Sequence, residues 1–79
     1  MRGSKELVPG SFATFADRVR VVLALDGITQ TELAKRIGST QATVAQTLYR
    51  VKDPRMDTLV RYANALNVTV GYLAGMEDE

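Results

Sequence analysis

Two glutamines five positions apart, Gln41 and Gln46, stand in a short stretch with Thr40, Ala42 and Thr43, and three cations, Arg50, Lys52 and Arg55, follow closely. A primary amide carries a carbonyl acceptor and two N–H donors in one plane, so it can pair bidentately with a planar edge such as N6 and N7 of adenine. Ala42 is too short to hydrogen-bond and offers a methyl surface or room for close approach. The cations suit phosphates or a narrowed minor groove. Catalytic chemistry has little to work with. There is no His and no Cys, which removes the imidazole base, the thiol nucleophile, disulfides and the usual zinc ligands. Asp17, Asp26, Glu32, Asp53 and Asp57 each have a place in a cap, a turn or a helix face, so no carboxylate pair is left for acid–base work. The residues point to binding, with no cofactor and no metal.

These side chains must be held by a small fold. At 79 residues and 46% hydrophobic composition the chain suits one domain and one core. The first helix is expected over about Phe12 to Leu25, with Ser11 as its cap and Phe15, Val19, Val22 and Leu23 at helical spacing. Asp26-Gly27 ends it. Thr29-Gln30-Thr31-Glu32 has the form of a capping box, so the second helix starts at Gln30, carries Leu33, Ala34 and Ile37 on one face and stops at Gly38. After a turn of three or four residues the third helix runs from about Gln41 to Tyr49 or Arg50, capped by Ser39 or Thr40, with Val44, Leu48 and Val51 inward. A fourth begins between Pro54 and Met56, with Met56, Leu59, Val60, Ala63 and Leu66 as its stripe, and ends at Asn67. Thr69 caps a short fifth helix containing Val70, Tyr72 and Leu73, which stops at Gly75. The fold class is all-α, a compact bundle of five short helices over residues 12–75. Residues 1–11 read as a tail or vector-derived linker outside the fold, and residues 76–79 as an acidic end. The longest apolar run, 19–25, is interrupted by Arg20 and far shorter than the roughly 20 residues that span a bilayer, and a cytoplasmic location without membrane attachment is the expectation.

Net charge is only +1, but its distribution is uneven: residues 30–61 carry six bases against three acids, and residues 62–79 no base against three acids. The middle of the chain is therefore the part suited to a polyanion. Two short helices joined by a Gly-containing turn allow one to brace while the next enters a groove. With Val44 pointing inward, Ala42, Gln46 and Tyr49 point outward, Thr43, Ala45 and Arg50 flank them, and Gln41 stands at the N-terminal end. Lys35 and Arg36 read equally as contacts to a backbone or as solubilising charges.

Gln30-Thr31-Glu32-Leu33-Ala34-Lys35-Arg36-Ile37-Gly38, followed by Thr40-Gln41-Ala42-Thr43-Val44, resembles the Cro and repressor helix-turn-helix family, also called XRE-type. The resemblance covers roughly residues 14–75 and is closest to the DNA-binding domains of lambdoid phage repressors, whose recognition helix opens with Gln and carries another five positions later. It implies a lambda-repressor-like domain that binds operator DNA. In it Thr29 and Gln30 would hold phosphates, and Thr40, Gln41, Ala42 and Gln46 would face the bases. Four positions depart from the family's pattern. Leu23 and Leu48 stand where many members have a buried Arg–Glu pair, a joint replacement that costs little because neither charge is left alone. Thr47 stands where a large aliphatic is usual, and Arg50 where Gly is common.

The partner implied is a double-stranded DNA operator, bound by two copies of the chain that pair in solution or only on DNA. Val68, Val70, Tyr72, Leu73 and Met76 form the expected pairing surface, with a lid over the core as the equal alternative for Val70 and Leu73. Two other roles stay open at this point: an antitoxin that binds a toxin with the same fold, and a domain used for protein contact. The stretch Tyr72-Leu73-Ala74-Gly75 resembles the point where such domains lead into the linker to a C-terminal repressor domain.

Overall fold

The structure is a computed structural model, and residues 14–76 are described. The expected cap at Ser11, the helix start at Phe12, the 1–11 tail and the acidic residues 77–79 lie outside them. Five helices order the described residues: α1 (Phe15–Asp26), α2 (Gln30–Ile37), α3 (Gln41–Arg50), α4 (Met56–Leu66) and α5 (Val70–Leu73).

Four of the five helices start in the same way. Thr14, Thr29, Thr40 and Thr69 are extended N-caps whose hydroxyls accept from the backbone N–H three residues on, of Asp17, Glu32, Thr43 and Tyr72. The reciprocal capping box forms at Thr14, where the Asp17 carboxylate accepts from the Thr14 N–H at 3.2 Å. At Thr29 only half of the expected box is made, because the Glu32 carboxylate turns to Arg36 one turn later. The endings of α1, α2 and α4 also share a plan. Gly27, Gly38 and Asn67 are left-handed, and the next N–H (Ile28, Ser39, Val68) reaches back to Leu23, Ala34 and Ala63 respectively. This 6→1 bond of the Schellman motif turns the chain sharply. α3 ends differently, through an extended Val51 at φ −83 and ψ 117. No left-handed residue is needed there, which is why Arg50 can replace the family's glycine.

One core joins all five helices. Val19, Leu33, Val44 and Leu73, from α1, α2, α3 and α5, are its most completely buried side chains. α4 adds Leu59, Tyr62, Ala63 and Leu66, and this corrects the expected stripe: Met56 is 64% and Val60 39% exposed. Val60 lies about 100° round the helix from Leu59 and Met56 opens its first turn, so the face centred on Leu59, Ala63 and Leu66 takes Tyr62 instead. The Tyr62 ring meets Phe15 edge to face, centroids 5.3 Å apart. Leu23 and Leu48 are both in the core. Val51, expected inward, is only half-buried. Arg18 is buried to 5% exposure, with its guanidinium 5.1 Å from the centre of the Tyr72 ring. No helix of the described residues is long and apolar enough to cross a membrane.

Candidate nucleic-acid interface

α2 and α3 are joined by only three residues, Gly38 to Thr40, and Ala34, 2% exposed, lets them pack closely. Val44 and Leu48 anchor α3 in the core, so its opposite face must meet solvent. Gln41, Ala42, Thr43, Gln46, Tyr49 and Arg50 are all exposed there, Tyr49 to 82%. An aromatic ring left that open contributes almost nothing to folding.

The N-terminal ends of the two helices meet through their glutamines. Gln41 Nε2 donates to Gln30 Oε1 at 3.0 Å. One hydrogen of the Gln41 amide is used in this bond, which leaves its second N–H and its carbonyl oxygen free. Those two groups are what the N7 and N6 edge of adenine requires. The Gln30 amide keeps both donors. Beside them, Thr40 Oγ1 accepts from the Thr43 N–H at 3.1 Å and donates to Thr43 Oγ1 at 2.9 Å. Its own proton is therefore spent, and the Thr43 hydroxyl is the one with a donor to spare. The Thr29 hydroxyl accepts from the Glu32 N–H at 3.1 Å and likewise keeps its proton.

The charge on α3 itself is one-signed, and in the loop after it a single exposed acid, Asp53, stands among the cations. α3 has no acid in its first turn and a base, Arg50, in its last. Arg50, Lys52 and Arg55 are exposed and form no ion pair among the described residues, whereas Arg36 pairs with Glu32 and Arg61 with Asp57. They follow the C-terminal end of α3, so amides mark one end of the helix and cations the other, about 15 Å apart. Arg55 is also the N-cap of α4 and makes no side-chain capping bond. The C-terminal residues divide. Met76 is 81% exposed and Val68, Val70 and Tyr72 are half-buried, but Leu73 is 1% exposed. Of the two readings open for Leu73, its burial bears out the lid over the core: the side chain is wholly used there and presents nothing to a partner.

Position in sequence foretold neither of two contacts here. The Gln30–Gln41 bond depends on the packing of α2 on α3, and the bond from Arg36 Nη1 to the Ala65 carbonyl, at 3.0 Å, spans 29 residues. Burial pushes the Tyr62 phenol above its ordinary value of 10.0, opposed by a hydrogen bond from Thr47 and by the nearby Arg61 charge. Among the described residues no group of His, Cys, Asp or Glu could hold a metal ion.

Residues 18–79 match the family model described as the Cro/C1-type HTH DNA-binding domain. Searches of curated proteins and of solved structures give no match. With a family match over most of its length, five helices in the required order and an exposed, acid-free third helix, the chain belongs to the Cro/C1-type helix-turn-helix DNA-binding domain family.

Proposed function

We propose that this DNA-binding protein is a transcriptional repressor that reads a palindromic operator in the major groove with α3 and acts by occupying DNA, not by catalysis. The observation that carries the reading is the Gln41 amide, held by Gln30 with one N–H and its carbonyl left over. Gln41 then pairs with an adenine, and the free Gln30 donors take a phosphate oxygen of the same strand. Thr43 and Gln46 extend base contact along the groove, Ala42 lies against a thymine methyl, and Thr40 chiefly holds the helix start. Thr29, Arg50, Lys52 and Arg55 bind phosphates. Repression as the outcome is supported by the likeness of Gln41 and Gln46 to the reading pair of lambdoid phage repressors.

One recognition helix covers only a few base pairs, too little to discriminate against genomic competitors, so two copies act together. Two-fold pairing through Val68, Val70, Tyr72 and Met76 requires half-site centres about 10–10.5 base pairs apart, or a multiple of that turn. Selection of bound duplexes from a random pool, followed by footprinting, tests the proposal. The expected result is a palindrome with two protected half-sites whose adenine preference is lost in Gln41→Ala. Enrichment of no sequence, or an unchanged preference in Gln41→Ala, would reject major-groove reading by α3.

A further inference from the structure

The last four carbonyls of an α-helix have no partner within it. At the end of α4 the Ala63 carbonyl accepts from the Asn67 and Val68 N–H groups, and the Asn64 carbonyl from Asn67. The Ala65 carbonyl accepts instead from Arg36 Nη1 on α2, at 3.0 Å. α4 has no base in its own last turn, so Arg36 also brings the positive charge that the negative end of a helix favours. The other edge of the guanidinium is held by Glu32, whose Oε2 is 3.4 Å from Arg36 Nε. A planar fork of fixed donors serves both acceptors at once, which a single ammonium does poorly.

We infer that Arg36 is a positioning residue and not a phosphate contact. It ties α2, whose first residue holds Gln41, to the end of α4, from which Val68 and the proposed pairing surface depart. The bond thereby fixes the angle between the reading helix and the two-fold partner. It lies about 9 Å along α2 from Gln30, with its charge already engaged. This inference rests on the paired reading given above.

The test uses the whole chain and the selected duplex, with both half-sites intact or one scrambled. Arg36→Met is expected to weaken binding to the intact duplex by at least about fivefold while the single half-site changes by less than about twofold. Its salt slope stays that of the unsubstituted protein. Arg36→Lys, which keeps the charge and one donor for Ala65, recovers part of the loss. A slope lower by about one in Arg36→Met, with equal losses on both duplexes, marks a phosphate contact and overturns the inference; so does unchanged binding to both. The unsubstituted protein gives a readout that needs no variant to fold. The Arg36 Nε–H resonance of nitrogen-labelled protein should keep its shift when duplex is added, and a large shift contradicts the assignment. If the unsubstituted protein itself protects a single half-site, the paired reading fails separately, and the Nε–H resonance still judges the Arg36 contact.

Discussion

Removing Gln30 should weaken sequence reading even though the proposed function gives Gln30 a phosphate and no base. The Gln41 side chain has three rotatable bonds, and the bond to Gln30 at 3.0 Å holds its amide before DNA arrives. Without that bond the amide is ordered only on binding, at a cost of about 0.5–1.5 kcal/mol for a rotamer-rich side chain, or about two- to tenfold in affinity. Gln41→Ala loses the proposed adenine pairing itself, about 1–3 kcal/mol of discrimination. The two losses overlap, because Gln30 has nothing to orient once Gln41 is alanine. In that background Gln30→Ala removes only the proposed hold of Gln30 on a phosphate. Anisotropy titrations of the unsubstituted protein, Gln30→Ala, Gln41→Ala and the double variant on the selected duplex close a thermodynamic cycle. The expected coupling is about 0.5–1.5 kcal/mol, smaller on a duplex with the adenine replaced. The bond is exposed, so the melting temperatures should hardly differ. Additive losses within about 0.3 kcal/mol would refute the idea that Gln30 prepares Gln41.

Arg50→Ala, Lys52→Ala and Arg55→Ala should weaken binding on every sequence and lower the salt slope by about one for each phosphate no longer neutralised; an unchanged slope in all three would take the loop off the DNA. Arg55→Ser should in addition raise stability to unfolding by about 0.5–1 kcal/mol, since it supplies the missing N-cap and removes a cation from the positive end of α4; denaturant titration measures it, and a loss of stability would contradict the capping argument. Gly38→Ala meets no atom within 4 Å, so its cost is that of a left-handed backbone at φ +73 alone, about 1–2 kcal/mol, with little change in DNA affinity at equal folded fraction. Tyr62 has a raised pKa: its contribution is intact below its unfolded value near 10 and is lost as pH rises through the folded value, because the unfolded chain then binds fewer protons. Tyr62→Phe should flatten that alkaline decline in denaturation midpoints, and parallel declines in the two proteins would show that Tyr62 is not its source.

Most of the helix plan was legible because caps and C-terminal turns are local. Thr29, Thr40, Thr69, Gly27, Gly38 and Asn67 do what their types and neighbours suggest. Thr14 and Asp17 carried a cap signal as well, and a start set at Phe12 passed over it. Stripes were less decisive. On α4 the template that selects Leu59, Ala63 and Leu66 admits Met56 and Val60 about as well as Tyr62, and only the position of Phe15 on α1 decides for the tyrosine. Leu73 could be read as surface or lid because a four-residue helix carries too little pattern to orient itself. At the candidate site, the exposed face of α3 follows from Val44 alone. That the Gln41 amide is restrained, and that Arg36 is committed to α4, follow from helix packing and have no mark in the sequence.

Three positions that break local rules fall close to one another, although others, such as the exposed Leu25 of α1, lie elsewhere. Four helices begin on threonine caps, and the fifth begins on Arg55, a cation at the positive end of α4 with no capping bond. α3 carries no acid in its first turn, where one would stabilise it. Tyr49 leaves its ring in water. Each choice costs stability, by a few tenths to about 1 kcal/mol for a cap or a dipole, and all three lie on α3 or just after it. Of the bases elsewhere among the described residues, three are spent on the fold, Arg18 on Tyr72, Arg36 on Ala65 and Glu32, Arg61 on Asp57, while Arg20 and Lys35 are exposed. A net charge of +1 therefore understates what a phosphate backbone would meet. The charge that counts is the part the protein leaves unneutralised, and Arg50, Lys52 and Arg55 place three such charges beside α3, the helix proposed to read bases.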